Sequence, residues 1–447
     1  MTARYPILYL PSEIHNRDWD SRLLIADHAA ALGFASVVGQ QWAIQSSYER
    51  LPPGLILIKT VNEIQLNAAE AFAKAGHLVI AMDEESLAVA PDQNFLGILS
   101  PRLPKVCHQF FANSPMHAET LLRLMPSMEG KVVTTGNART DLLVASGRVR
   151  FAAEAEAIRK ETGPYVLFNS NRALDDSIWN SHEHFMKIQL LAGAVNPDDE
   201  ESVKRFEQQF VFERHNAKAF IDALHACLRD ISTHRIVVRP HPVERPDFWM
   251  DMGRQYPRLH VADNTDHIPW IMAADAVVHT NSTTGLEAAL LERPTVNLVP
   301  NMEGHWENLY VGTRVNPFFI DWQEGVRALT EFLATGEGRL SRLQQEKSEL
   351  RRYFPNAFDG DSAQKIAAHM AAAMREQSEL AKSPPDLPDV LRSTMSAPER
   401  HEIQKRKFTK KFGEAQGDFK QIRKVTRLPH NVNIAQIVEG CFAILPH

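Results

Sequence analysis

The sequence is poor in the residues that mark several protein classes. Its 447 residues hold only three cysteines, Cys107, Cys227 and Cys441, far apart and without a C-x-x-C pair. That spacing excludes a disulfide framework and a conventional structural zinc site, and it fits a reducing cytoplasm. No window approaches the roughly 18 continuous apolar residues of a spanning helix. The N-terminal apolar run is short and lacks the small-residue cleavage site of a signal peptide. Excess positive charge is missing too: the net charge of -6 argues against a nucleic-acid partner. H-E-x-x-H, G-x-x-x-x-G-K-[ST] and G-x-G-x-x-G do not occur, and the 19 histidines are dispersed. Metal catalysis, P-loop ATP hydrolysis and nicotinamide chemistry therefore have no motif to stand on, and neither a metal nor a cofactor is expected.

What is present is ordinary globular chemistry at a length that calls for two cores: 44% apolar and 23% charged residues. The first part alternates short apolar runs with helical patterns. The runs predict strands over 6–11, 35–39, 55–58, 77–82, 106–112 and 131–135, with helices over 20–32 and 64–75 closed by Gly33 and Gly76. A second series predicts strands over 165–168, 234–239, 259–262, 276–279 and 295–298, with a long polar helical stretch over 172–232. Such alternation implies an α/β protein with mostly parallel sheets covered on both faces. A charged helical segment over 140–162 divides the series. The expected organisation is a first domain over 1–150, a second over 163–345, C-terminal helices over 346–380 packing back across both, and a linker with a basic tail over 381–447. Open α/β sheets bind ligands beyond the carboxyl ends of their strands, which points to a cleft between the two domains.

Two motifs in the second domain carry most of the chemistry. In Val237-Val-Arg-Pro-His-Pro-Val-Glu244 a β-branched strand runs straight into Arg239 and His241. The flanking prolines fix the backbone there and forbid helix. A guanidinium fork and an imidazole at a strand end suit phosphate and ribose. In the second motif, Val277 to Leu290, a buried strand meets Asn281, Ser282, Thr283, Thr284 and Gly285, and a helix begins. Its free N–H groups and hydroxyls suit an anion, and Glu287 can reach a ribose. The plain alternatives are a solvated proline turn and ordinary N-capping. Because both motifs end what read as neighbouring strands, one shared phosphate site is the better reading.

Together, Arg239-Pro-His-Pro…Glu244 and His279-Thr-Asn-Ser-Thr-Thr-Gly-Leu-Glu-Ala288 resemble the donor domains of bacterial surface-carbohydrate transferases. These include the Kdo transferases of capsule and O-antigen synthesis. More distant are the glycerophosphotransferases of teichoic acid synthesis and the sialyltransferases with a His-Pro motif. Ile7 to Glu13, Arg17-Asp18, Asp20 to Leu24 and Gly136 to Asp141 look like the family known as surface carbohydrate biosynthesis proteins. The resemblance implies a GT-B fold: two Rossmann-like domains facing a central cleft, with C-terminal helices. It implies a nucleotide-sugar donor, CMP-linked by preference, held by Arg239, His241, Glu244, Asn281, Ser282, Thr283, Thr284, Gly285 and Glu287. Asn169, which ends the first strand of the second domain, is added to that set. The acceptor would be a surface polysaccharide or a lipid-linked glycan.

The first domain should supply the acid–base work. Asp83, Glu84 and Glu85 end an apolar strand, and clustered carboxylates raise one another's pKa. Ser86 stands where the sialyltransferase-like enzymes carry glycine. Glu13 and Asp18 are further carboxylate candidates, and Arg17 and Arg22 are candidates for an anionic acceptor. The alternative is that Asp18 and Asp20 cap the helix and pair with Arg22. Asn137, Arg139 and Asp141 either line the cleft or shape their turn. Residues 198–201 read as a solvated acidic start of a helix.

The tail over 401–427 interleaves Lys405, Arg406, Lys407, Lys410, Lys411, Lys420, Arg423, Lys424 and Arg427 with Phe408, Phe412 and Phe419. That mixture suits an anionic membrane surface, or else a solvated helix. The whole reads as a metal-independent glycosyltransferase, cytoplasmic and peripheral at the inner face of the membrane. The competing readings are a polyol-phosphate transferase or sugar-nucleotide epimerase of the same build, and a non-catalytic nucleotide-sugar-binding scaffold.

Overall fold

The structure is a computed structural model describing residues 5–93, 99–172, 174, 176–177, 182–263, 266–377, 380, 384, 386–396 and 402–446. The chain forms two compact units. The first comprises residues 1–84, 98–150 and 356–447, and the second 85–97 and 151–355.

In the first unit β1 (Ile7–Ser12), β2 (Ala35–Gln40), β3 (Leu55–Ile58), β4 (Leu78–Met82), β5 (Gln109–Ala112) and β6 (Val132–Thr134) are all parallel. The strand order is β13-β14-β2-β1-β3-β4-β5-β6, where β13 (Val432–Val438) and β14 (Cys441–Pro446) are an antiparallel pair. β1, β2 and β3 are buried throughout, as sheets covered on both faces require. After β2 the chain crosses to the far side of β1, so the loops after β1 and β3 flank a topological switch point.

The second unit holds a fully parallel sheet. Its strands are β7 (Tyr165–Asn169), β8 (Arg235–Arg239), β9 (Leu259–Val261), β10 (Ala276–His279), β11 (Thr295–Leu298) and β12 (Phe318–Phe319). Their order, β12-β11-β10-β7-β8-β9, puts the switch point between β7 and β10. The helix Glu200–Asp230 covers one face through Phe220, Ala223, Leu224 and Cys227, which join Val166, Phe168, Ile236 and Val238 in one core.

Three features depart from the expected organisation. Residues 88–90 belong with the second unit, because Ala90 N–H donates to Leu309 O (2.7 Å) and Val311 N–H to Ala88 O (2.8 Å). The C-terminal helices do not act as one block: Leu343–Tyr353 falls in the second unit and Ser362–Glu376 in the first. Of the expected linker at 382–388, residues 382, 383 and 385 lie outside the described residues and Leu387 already opens the helix Leu387–Thr394; the segment beyond it is no loose tail. After the helix Phe412–Thr426, the β13–β14 hairpin extends the first sheet by pairing β14 with β2. Gly39 makes that approach possible: a Cβ there would sit 2.3 Å from Gly440 O and 2.6 Å from Cys441 Cα. Gly440 itself turns the hairpin at φ 73°.

The tail's aromatics are also committed inward. Phe408 is fully buried, Phe419 is buried, and Phe412 stacks on Phe442 at 6.1 Å. The apolar part of a membrane-binding surface is therefore spent on the core. Among the described residues no helix is long and apolar enough to cross a membrane.

Candidate functional site

The second unit gathers its candidates at the carboxyl ends of β7, β8 and β10. The two motif strands are not neighbours as expected, because β7 lies between them. Asn169, the last residue of β7, links both sides. It is in register with Arg239, and its Nδ2 donates to Thr284 Oγ1 at 2.6 Å.

The helix Thr283–Leu290 opens at this point with Ser282 as N-cap. Ser282 has extended backbone angles, yet its side chain makes no capping bond. Among the described residues its buried hydroxyl has no hydrogen-bond partner. The ordinary capping role is thus unfilled, and the hydroxyl joins the first-turn N–H groups as an available donor. Asn281 enters the turn at φ 39° and is locked to Asn297 by two reciprocal bonds of 2.9 Å. Beneath the helix, Gly285 leaves room for Asn316 and His279: a Cβ would meet Asn316 Oδ1 at 2.3 Å and His279 Cε1 at 2.8 Å. Burial pushes the His279 imidazole down to about 4, so it is neutral at physiological pH.

Arg239 is buried at its strand end, and burial lowers its pKa. Asp266, Glu287, Asp263 and Glu244 act against that and help hold its charge. His241 is half-buried, and its Nδ1 accepts from Val243 N–H at 3.4 Å. Two expected donor contacts have other employment. Glu244 accepts from Ser170 Oγ (2.9 Å), Arg172 N–H (2.8 Å) and Trp249 Nε1 (2.7 Å), which ties the loops after β7 and β8 together. Burial raises its carboxyl, and those donors pull it back. Glu287 meets His267 Nε2 at 2.8 Å. Both acids shape the site from behind. His267, Ser170, Asn297 and Asn316 were not anticipated, since each serves a neighbour distant in sequence.

In the first unit the candidates meet at the β1–β3 switch point. Lys59, the residue after β3, lies 2.6 Å from Glu13 Oε2 and 3.6 Å from Asp18 Oδ2. Lys407 Nζ donates to Glu13 Oε1 at 2.5 Å. Burial raises the Glu13 carboxyl, but Lys59, Lys407 and Arg17 outweigh it and hold it at about 2. Asp18 Oδ2 accepts from the N–H groups of Glu13 (3.0 Å) and Ile14 (3.2 Å), and its Oδ1 takes Arg17 Nε at 2.9 Å. Burial raises it, yet Lys59, Arg17 and Arg22 keep it well below the usual carboxylate range.

Arg22 does not present itself to an acceptor. It is fully buried, paired with Glu84 at 2.9 Å and bonded to Pro11 O at 3.0 Å. The carboxylates after β4 diverge instead of clustering. Asp83 and Glu84 are buried in the first unit, whereas Glu85 is exposed and counts with the second. Asn137 shapes its turn, its Oδ1 accepting Arg139 N–H (3.0 Å), whereas Asp141 Oδ2 accepts Ala363 N–H (2.7 Å) at the start of the helix Ser362–Glu376. Of the carboxylates at this switch point, Glu13 combines a fixed position with partial exposure, its side chain being 19% accessible. Lys59 carried a faint signal, a cation directly after a buried strand; Lys407 carried none.

No family model matches the sequence, and no curated protein matches it. Solved structures do match in fold. A variant of the wall teichoic acid polymerase TagF aligns with a TM-score of 0.52 at 12% identity, over 85% of this chain and 91% of that one. A TagF structure soaked with CDPG aligns at 0.51 and 12%, over 83% and 89%. The UDP-GlcNAc 2-epimerase of Methanocaldococcus jannaschii, in complex with UDP-GlcNAc and UDP, aligns at 0.50 and 13%, over 82% and 99%. The likeness establishes the fold, which is that of GT-B enzymes.

Proposed function

We propose that this chain is a glycosyltransferase that draws on a nucleotide-activated sugar for a surface polysaccharide or lipid-linked glycan. The carrying observation is the junction at Asn169: one strand end touches the Thr284 hydroxyl and faces Arg239 in register, beside a Ser282 hydroxyl that caps nothing. Those groups and the first-turn N–H groups of Thr283–Leu290 take the donor phosphate, and Arg239 and His241 add charge and a ring donor. As the nucleotide departs, the helix N-terminus and Arg239 stabilise the growing negative charge. Thr283 and Gly285 complete the turn.

In the first unit Glu13 is the acceptor-side group. A carboxylate ionised across the physiological range is a weak base but a firm hydrogen-bond acceptor for a sugar hydroxyl. It also favours positive charge developing at an anomeric carbon. Arg17 contributes from the first turn of the helix His15–Ala31, where Asp18 holds it at 2.9 Å, and Glu84 is paired with Arg22 on the same helix.

The finer donor assignment, a CMP-linked acid sugar such as Kdo, rests on the motif resemblance. A location at the inner face of the cytoplasmic membrane rests on the basic tail, where Lys405, Lys411, Lys420, Lys424 and Arg427 are exposed. Thermal shift with CMP, CDP, UDP and GDP tests the nucleotide, because a ligand that binds only the native state raises the melting temperature. A shift with CMP alone supports the Kdo-like donor, and one with UDP or CDP alone replaces it. Absence of any shift, or full donor turnover in His241→Ala, removes the assignment of this site. The epimerase reading has one observation in its favour, the shared fold with an epimerase. Conversion of the nucleotide-sugar to its epimer without an acceptor and without net nucleotide release would decide for it, whereas nucleotide release with an acceptor-dependent product decides for the transferase.

A further inference from the structure

We propose that the C-terminal segment is a built part of the first-unit site, with Lys407 as a positioning residue that fixes the Glu13 carboxylate. The inference rests on the reading of Glu13 as the acceptor-side group. Lys407 lies 394 residues from Glu13 in sequence, yet its ammonium takes one carboxylate oxygen while Lys59 takes the other. A carboxylate gripped by one cation still rotates about its last torsion. Gripped on both oxygens by cations from separate elements, it does not, so its outward lone pairs point one way.

The segment is anchored too thoroughly for a loose tail. His15 Nδ1 lies 3.1 Å from Lys407 O. The next residue, Phe408, is fully buried, edge-on to Trp19 at 5.7 Å and to His15 at 6.2 Å. Trp19 Nε1 donates to Asp418 at 2.9 Å, and Arg150 joins Asp418 (3.1 Å) to Asp20 (3.0 Å). Lys410 closes on Asp418 at 2.7 Å, and Arg423 on Asp27 at 2.8 Å. Each anchor falls on the helix His15–Ala31 or on residues packed with it. The Lys407–Glu13 pair is reachable, both side chains being about one-fifth exposed (20% and 19%), and it lies beside Lys59 at the β1–β3 switch point. Three cations of the basic stretch, Lys407, Lys410 and Arg423, are thereby committed to carboxylates of the same unit.

Removing the Lys407 charge leaves Glu13 with one ammonium partner, so it becomes more mobile and more easily protonated. The test uses the full chain with Lys407→Met, Lys407→Gln, Lys407→Arg and, as a surface control, Lys424→Ala. Glu13 is labelled with a water-soluble carbodiimide and glycine ethyl ester at pH 5 and read by peptide mass mapping. The acid passes its proton to the carbodiimide nitrogen and its carboxylate oxygen then adds to the carbodiimide carbon, so labelling follows the protonated fraction and a one-unit rise in pKa gives about tenfold faster labelling. The expected result is about tenfold faster labelling in Lys407→Met and Lys407→Gln, with Lys407→Arg and Lys424→Ala at the wild-type rate. In transfer assays the two neutral variants should raise the acceptor KM about tenfold and leave the donor KM unchanged, with Lys407→Arg restoring it. Lys407→Gln, one atom shorter than lysine, keeps a neutral polar donor, and so covers the case in which Lys407→Met fails to fold. Wild-type labelling of Glu13 in both neutral variants overturns the clamp. Faster labelling with an unchanged acceptor KM overturns the positioning role. Faster labelling with no transfer from any donor, even in the wild type, overturns the proposed function and leaves the clamp standing.

Discussion

Asn169 Nδ2 donates to Thr284 Oγ1 at 2.6 Å, joining the last residue of β7 to the first turn of the helix Thr283–Leu290. Both groups are buried, so the bond has no water to replace it. Asn169→Ala leaves the Thr284 hydroxyl without its partner and should cost ~1–3 kcal/mol. Urea unfolding will measure that loss. Thr284→Val removes the other half, and the two variants should be less than additive, because they break one bond.

Ser282 separates a structural from a functional reading of the same turn. A Ser that caps through its side chain costs ~0.5–2 kcal/mol when changed to Ala. Ser282 makes no such bond. Ser282→Ala should therefore leave the urea midpoint within the scatter of surface variants and weaken nucleotide binding about tenfold, equivalent to ~1.4 kcal/mol. Calorimetric titration with the nucleotide that gives a thermal shift will show it. A destabilised protein with unchanged affinity would return Ser282 to plain capping.

Much of this was legible in sequence, for a physical reason. Buried parallel strands are short runs of β-branched and aliphatic residues, and Val237-Val238 and Val277-Val278 announce themselves, along with the motifs at their carboxyl ends. Strand order is a different matter. Nothing local told β8 and β10 that β7 would come between them, so Asn169 was one candidate among many until register put it opposite Arg239. The hairpin was missed although it had a signal: Glu439-Gly440 between two apolar runs is a two-residue turn. The basic residues upstream drew the reading towards a tail. Arg22 and Glu244 were misjudged in the other direction. A charged residue near a strand end looks available, and only three-dimensional burial shows that Arg22 is consumed by Glu84 and Glu244 by Ser170, Arg172 and Trp249.

The floor beneath the helix Thr283–Leu290 leaves no space for a methyl group. In Gly285→Ala the new Cβ would fall 2.3 Å from Asn316 Oδ1 and 2.8 Å from His279 Cε1, both on buried side chains. Asn316 Nδ2 also holds Gly285 O at 3.2 Å, so it cannot move without breaking that bond. Overpacking of this kind costs ~1–3 kcal/mol. We expect a lower melting temperature together with weaker nucleotide binding, since the displaced turn carries Ser282 and Thr284. Calorimetry of the free and nucleotide-bound protein will measure both.

Glu213 gives the second unit a pH signature. It lies on Glu200–Asp230, fully enclosed, where Tyr310 Oη donates to its Oε1 at 2.7 Å and Gln209 Nε2 donates to the same hydroxyl at 3.0 Å. Burial pushes the carboxyl from 4.5 up to about 7, against the pull of the Tyr310 bond. The folded chain thus binds this proton more tightly than the unfolded chain does. Its stabilising contribution is complete below about pH 4.5, falls as the pH rises through about 7, and is absent above. Glu213→Gln keeps the shape and removes the charge. Between pH 5 and pH 8 the variant should lose less stability than the wild type, and at pH 8 it should melt at the higher temperature. Urea midpoints at the two pH values will check the sign. A wild-type pH slope in Glu213→Gln would assign the dependence to other groups.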